Sequence, residues 1–279
     1  MRSGLFKAEG AGNDFLLGTG PWADRLATDA ALVHRLCTRR LGFGADGTLA
    51  LVHAGGNTVR VVYRNADGNT AAFCGNGTRC AALAAVRLLG LPPRLIVRTA
   101  WADIPAEVMG ETVRLQLPPP AADPRPLTLK TTERRWTGWL FEVGVPHLVV
   151  PLTGDLDSFA ITRWGPALRS HPALGPGGAN VMFVTGREEH RVDVRSWERG
   201  VEGETLSCAS GAVAVALVWM MLHGGTQLSI GTRSGQLLHV QTLGTSPRSA
   251  IRLSGPAHLL GEVIPFDDME DPGRTDRPG

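Results

Sequence analysis

Apolar positions recur along this chain with two periods, and the switches between them outline its elements. Lys7 to Gly20, KAEGAGNDFLLGTG, reads as an opening strand. From Ala27 to Gly42, Leu32, Val33, Leu36 and Cys37 return at helical spacing, arginines gather at the C-terminal end, and Gly42 stops the run. Thr48–His53 and Asn57–Arg64 read as strands joined by a Gly55-Gly56 hairpin, with a turn at Ala66-Asp67-Gly68-Asn69. A nearly unbroken apolar helix follows from roughly Asn76 to Leu89, and Leu95–Val97, Val108 and Val113–Leu117 add strands. Pro118 to Pro120 and the Pro124–Pro126 region read as a linker, which places a lobe boundary near residue 118.

The second half repeats this style. Trp139–Val143, Pro146–Val150, Asn180–Thr185 and Arg191–Trp197 are strand candidates; Val192 and Val194 alternate with Arg191, Asp193 and Arg195. A second apolar helix spans Cys208 to Gly225, and short strands close the chain. A helix that is apolar all round must be buried, so each is expected inside a strand-rich lobe.

The two apolar helices share an entrance. CGNGTRCAALAAVRLLG begins at Cys74 and CASGAVAVALVWMMLHGG at Cys208, about half the chain apart. Each is a cysteine, then small residues with glycine at the fourth position, then the helix. A helix N-terminus carries unpaired N–H groups and a partial positive charge. Such an end favours a thiolate and can bind a carboxylate, and small residues permit close approach. Two such ends facing each other would hold one carboxylate between two thiols. Cysteines often merely pack, which is the reading for Cys37 and Cys80 inside helices. Two matching contexts, one per half, argue against packing for Cys74 and Cys208.

Composition narrows the classes. The 279 residues are 43% hydrophobic and 19% charged, with a net charge of +2, which is ordinary for a globular protein. The basic residues form no stripe, so neither nucleic acid nor a membrane surface is an expected partner. The longest apolar run, Ala212 to Leu222, is too short to span a bilayer, and the N-terminus has no signal-peptide core, so a cytoplasmic location is expected. Four irregularly spaced cysteines without a CxxC pair imply free thiols and no zinc site. Lys7 and Lys130 are the only lysines, and neither stands in a setting suited to a Schiff base.

Ordered blocks then carry a resemblance. GAGNDF (Gly10 to Phe15), GFGADG (Gly42 to Gly47), RNADGNTAAFCGNGTRC (Arg64 to Cys80), GVPH (Gly144 to His147), NVMFV (Asn180 to Val184) and ERGVEGETLSCASGA (Glu198 to Ala212) run almost end to end. In this order they resemble the diaminopimelate epimerases, cofactor-independent amino-acid racemases. The resemblance implies an α+β fold of two pseudo-symmetric lobes, each a curved, mostly antiparallel sheet around a central helix. The lobes would comprise residues 1–117, joined by a final strand at about 258–266, and 118–257; residues 267–279 read as a disordered polar tail. It implies inversion at an amino-acid α-carbon, with Cys74 and Cys208 exchanging the roles of thiolate base and thiol acid. No cofactor or metal is implied, and a homodimer is common in the family.

On the same resemblance, Gly75, Asn76, Ala209 and Ser210 contact substrate at the helix ends. Asn13, Asn65, Asn180, Glu198 and Arg199 contact it elsewhere, with Arg199 on a distal carboxylate, and His147 and Glu198 assist proton traffic. Taken singly, the asparagines could be satisfying turns, His147 could be a solvated strand-start residue, and Glu198-Arg199 could be a surface ion pair. Three departures bear on the substrate. Val145 stands where the family has asparagine, Ala209-Ser210 follows the second cysteine, and one extra residue falls at Val201-Glu202. LL- to meso-diaminopimelate is therefore the expected reaction, with racemisation of another amino acid such as histidine as the alternative. A thiol redox protein is the rival class, since activated cysteines serve both chemistries. GFGADG also matches a dinucleotide pattern, but a helix precedes it and a strand follows, the reverse of the required order.

Overall fold

The structure, a computed structural model, describes residues 2–188, 190–244 and 248–266; the tail expected at 267–279 lies outside them. In chain order the elements are β1 (Gly4–Gly10), β2 (Asn13–Thr19), α1 (Pro21–Thr28), α2 (Ala30–Cys37), β3 (Gly47–His53), β4 (Thr58–Asn65), β5 (Thr70–Ala71), α3 (Gly75–Leu89), β6 (Arg94–Arg98), β7 (Asp103–Met109) and β8 (Thr112–Leu117). Then follow β9 (Arg125–Lys130), β10 (Arg135–Val143), β11 (Val145–Pro151), α4 (Ile161–Arg169), β12 (Asn180–Glu188), β13 (Arg191–Glu198), β14 (Gly203–Thr205), α5 (Ala209–His223), β15 (Gln227–Gly231), β16 (Leu237–Thr242), β17 (Ile251–Pro256) and β18 (His258–Val263).

Strand pairing divides them into two equivalent sets. One runs β18-β1-β2-β3-β4-β6-β7-β8. The other runs β9-β10-β11-β12-β13-β15-β16-β17. Both show the same order of directions: antiparallel throughout except at the third and fifth junctions, which are parallel. A parallel neighbour needs a crossover, and helices supply all four: α1–α2 between β2 and β3, α3 between β4 and β6, α4 between β11 and β12, α5 between β13 and β15. The sets join where β8 pairs antiparallel with β17. The fold is thus α+β with two matching lobes, and β18 returns from the end of the chain to pair with β1.

Each sheet wraps one helix. Nearly all of α3 and of α5 is buried, and both belong to one apolar core with the inward faces of the strands. The first crossover of each lobe closes a smaller outer cluster: α1 and α2 cover Leu5, Leu16 and Ala50, and α4 covers Trp136, Phe183 and Trp197. Gly165 in α4 lies so close to Trp197 that a Cβ would stand 2.4 Å from its ring.

Four local readings of the sequence are corrected. The opening strand is a hairpin, because Ala11 and Gly12 take positive φ (56° and 84°) and the Glu9 carboxylate accepts the Gly12 N–H at 2.8 Å. The helix expected at 27–42 is two helices meeting at Asp29, whose side chain accepts the Leu32 N–H at 2.8 Å. It ends at Cys37, five residues before Gly42, because Arg39 leaves the helix to bind Asp14 and Asp46. The linker region contains β9, anchored by the buried Leu129.

Replacing Asp29 by alanine removes that helix cap. The expected outcome is a loss of about 1 kcal/mol in unfolding free energy, read by denaturant titration, with activity retained.

Candidate active site

Cys74 is the N-cap of α3 and Cys208 the N-cap of α5. The β-hairpin-and-helix logic of both lobes ends in the same place, a thiol at the mouth of a buried helix. The Cys74 Sγ accepts the Gly77 N–H at 3.4 Å and faces the Asn13 Oδ1 at 3.7 Å. The Cys208 Sγ lies 3.8 Å from the Ser210 hydroxyl. The two mouths meet: a Cβ placed on Gly75 would stand 2.8 Å from the Ala209 Cβ. Gly75 must be glycine here for space, not for its backbone angles. Asn76 ties the mouths together, its Nδ2 donating to the Ser207 carbonyl at 3.1 Å and to the Asn13 Oδ1 at 3.3 Å.

Glu198, at the end of β13, sits within electrostatic reach of both thiols and hydrogen-bonds with Cys208; the Thr205 hydroxyl donates to its Oε1. Burial raises its carboxyl above the usual range, while the bonds from Thr205 and Cys208 oppose the rise. Burial also pushes the Cys74 thiol up to about 11, against the lowering by the Gly77 N–H. Cys208 is raised well above the ordinary thiol value, first by burial and then by the Glu198 charge. Both cysteines therefore hold their protons at neutral pH. A bound cation, such as a substrate ammonium, is the kind of group that would release one.

The remaining sequence-derived residues fall around this centre to differing degrees. Asn180, buried on β12, accepts the Arg199 backbone N–H on its Oδ1 at 2.8 Å, and its Nδ2 lies 3.5 Å from His147 Nδ1. His147 is fully buried on β11 beside Asn180; burial drives it down to about 3, so it stays neutral, and its Nε2 has no partner among the described residues. No hydrogen bond joins it to either thiol among the described residues. Arg199 is exposed, and its guanidinium makes no ion pair among them, standing instead beside Gly177 and within electrostatic reach of His147 and Glu202. The extra residue at Val201-Glu202 is absorbed by a loop in which Glu202 takes φ 52° and pairs with Arg169 at 2.7 Å. Asn65 ends β4, and its carbonyl accepts the Gly68 N–H, closing the turn foreseen at 66–69. Val145 starts β11 opposite Val143, across a turn at Gly144 that rests near Phe73, the residue before Cys74.

Sequence reasoning missed three side chains. Tyr63, the chain's single tyrosine, is packed edge-on against Phe15 and hydrogen-bonds with Cys74; burial raises its phenol well above its ordinary value. Asp46 accepts the Asn13 Nδ2 at 2.7 Å, and Arg79 donates to the Asn76 Oδ1 at 2.8 Å. Asp46 and Arg79 lie inside quoted motifs, GFGADG and CGNGTRC, and that was the only available signal. Tyr63 carried none beyond its place on a strand.

Two matching lobes, each presenting a cysteine-capped helix to a shared centre, define the class: an isomerase of the racemase and epimerase fold. Within it, the sequence profile described as Diaminopimelate epimerase matches residues 5–116 and 140–250, and the chain belongs to that family. It is 37% identical to the diaminopimelate epimerase of Gemmatimonas aurantiaca over 244 residues, 84% of this chain and 86% of that one. It is 32% identical to that of a Hydrogenobaculum species over 271 residues, 92% and 96% of the two chains. In fold it is similar to a probable proline racemase from Agrobacterium radiobacter K84, with a TM-score of 0.73 at 17% identity, covering 97% of this chain and 94% of that one. No helix among the described residues is long and apolar enough to cross a membrane.

Gly75→Ala forces the helix mouths apart by its clash with Ala209; kcat/KM is expected to fall by about tenfold or more while the circular dichroism spectrum is unchanged. The raised thiols also set a pH dependence of stability. Their protons are held more tightly in the folded chain, so this contribution is complete below the unfolded thiol value of about 8.5. It is lost as pH rises through the folded Cys74 value of about 11. Unfolding free energy should therefore drop across this window, and drop less in Cys74→Ser.

Proposed function

We propose that the protein interconverts LL- and meso-diaminopimelate by two-thiol proton transfer in the cytoplasm. The observation that carries this reading is the mouth-to-mouth contact of α3 and α5, Gly75 against Ala209, with a cysteine capping each helix. A substrate α-carboxylate lying at this contact would meet first-turn N–H groups of both helices, from Gly75 and Asn76 on one side and Ala209 and Ser210 on the other. Its α-carbon would then lie between the two thiols.

One cysteine, as thiolate, takes the α-proton: the C–H bond breaks, an S–H bond forms, and the electron pair spreads into the carboxylate. The helix-end N–H groups are aimed where that charge gathers. The other cysteine gives its proton to the opposite face and becomes the thiolate, so the configuration is inverted and one thiol and one thiolate remain. Glu198, close to both sulfurs, is suited to exchanging protons with them, and Thr205 fixes its carboxylate. Asn13, whose Oδ1 faces the Cys74 sulfur, borders the same cleft from the first lobe, and Asn65 is proposed as a further substrate contact from the end of β4. Asn180 holds the Arg199 backbone, and the Arg199 guanidinium, free of any ion pair among the described residues, suits a distal carboxylate. His147, buried and neutral, serves this arm by seating Asn180. Relatives named diaminopimelate epimerase, matched over most of their length, support the substrate choice.

Cys74→Ser and Cys208→Ser are each expected to cost at least about 10³-fold in kcat with the fold intact. In deuterated water the product should carry deuterium at the α-carbon; inversion without solvent exchange would exclude the mechanism. Assay of LL-diaminopimelate against a panel of L-amino acids, histidine and proline included, tests the substrate, and equal turnover of a monocarboxylic amino acid would overturn it. For the wild type, kcat/KM should climb with pH above neutrality as a thiolate becomes available.

A further inference from the structure

Four groups form one directional hydrogen-bonded chain through the centre of the site. Arg79 Nη2 donates to Asn76 Oδ1 at 2.8 Å; Asn76 Nδ2 donates to Asn13 Oδ1 at 3.3 Å; Asn13 Nδ2 donates to Asp46 Oδ2 at 2.7 Å. A guanidinium can only donate and a carboxylate can only accept. The charged ends therefore fix which way round both amides lie, a choice that an asparagine surrounded by neutral partners leaves open. We propose that Asp46 and Arg79 are positioning residues that lock the Asn13 and Asn76 amides, so that Cys74 always faces the carbonyl oxygen of Asn13 and never its NH2.

The ends of the chain are themselves held. Arg39 binds both Asp46 at 2.8 Å and Asp14 at 2.6 Å, Asp14 also pairs with Lys7, and the Asp14 N–H donates to Asp46 Oδ2. At the other end Arg79 is fully buried, with no carboxylate within ion-pair distance among the described residues. Its Nε donates to the Pro256 carbonyl at 3.1 Å. A buried guanidinium is costly to maintain, and a residue chosen for packing alone would not carry one. Pro256 belongs to the seam strand β17, so the chain begins at the junction of the lobes.

The consequence falls on Cys74. The Asn13 oxygen, 3.7 Å from Sγ, accepts from the thiol but gives nothing to a thiolate. If Asn13 turned over, its NH2 would stabilise the thiolate instead. The lock therefore keeps Cys74 a competent proton donor while leaving thiolate stabilisation to the helix N–H groups. The other titratable and charged groups facing this sulfur are Tyr63 from β4, Glu198 from β13, and Arg79 and Cys80 from α3. Asp46 also acts through its charge on Tyr63 and Glu198.

This inference rests on Cys74 being one of the two reacting thiols, but its test needs no turnover. Asp46→Asn keeps the shape and removes the acceptor-only end. The rate of iodoacetamide labelling of Cys74, followed by peptide mass spectrometry against pH, should show its midpoint about one unit lower than in the wild type. The midpoint for Cys208 should stay put, and Asp46→Glu should restore most of the wild-type Cys74 value. Because Asp46 also acts through its charge, Asp46→Asn is repeated in an Asn13→Ala background. There the lock predicts an unmoved Cys74 midpoint, and a persisting shift would reduce the effect to charge and overturn the lock. Loss of activity with an unmoved Cys74 midpoint would overturn the lock and leave Asp46 a structural residue. A shifted midpoint in an enzyme whose Cys74→Ser variant is active would keep the lock and remove the two-thiol mechanism. Arg79→Lys, which retains a donor, should leave the midpoint within about 0.3 units of the wild type; a shift as large as that of Asp46→Asn would argue against the donor end.

Discussion

The contact between two helix N-termini governs this molecule. Helix ends carry like partial charges, and neither seeks the other. They are brought together because each helix is apolar on all sides and each is sheathed by its own sheet. Burial of the two helices outweighs the repulsion of their ends, and the leftover N–H groups and positive potential point into one small volume. Only a glycine and an alanine at the meeting point, Gly75 and Ala209, let the mouths come so close. The chemistry exploits a place where packing has left donors without partners.

The repeated order of strand directions explains how such a contact can be built reproducibly. Each lobe is the same series of hairpins and crossovers, so each helix emerges from its sheet at the same point. Antiparallel pairing of β8 with β17 then joins the copies edge to edge and turns the equivalent ends toward each other. Around the centre, the lobes contribute different chemistry. The first supplies asparagines fixed by charged residues, and the second supplies Glu198, Asn180 and Arg199. The common scaffold fixes where the thiols stand, and the unlike loops fix how each is surrounded.

Burial shapes the electrostatics in one direction. Five groups at the centre are pushed toward their neutral forms: both thiols up, Glu198 up, Tyr63 up and His147 down. The charge of a bound amino acid therefore adds to the balance that decides which of these protons moves.

Much of the fold was legible because it is written in periodicity. The two apolar helices, the strands at Thr48–His53, Asn57–Arg64 and Asn180–Thr185, and the matching cysteine caps all appear as local patterns. Two of the four misreadings are local turns, at Ala11-Gly12 and at Asp29; the other two come from a distant partner. Arg39 abandons its helix for Asp14 and Asp46, and β9 exists because β10 pairs with it. In the site, Cys74 and Cys208 stood out by their helix-mouth context, whereas Asp46, Arg79 and Tyr63 gained their meaning from partners remote in sequence or on another element. What the sequence alone determined was which segments are buried helices and what caps them, since these depend on neighbours within a few residues. Tertiary structure decided that the two caps face one another, that Asn13 and Asn76 lie in a fixed sense between Asp46 and Arg79, and that both thiols rest protonated. Those outcomes depend on distances and desolvation between segments up to half a chain apart, and no short-range pattern encodes them.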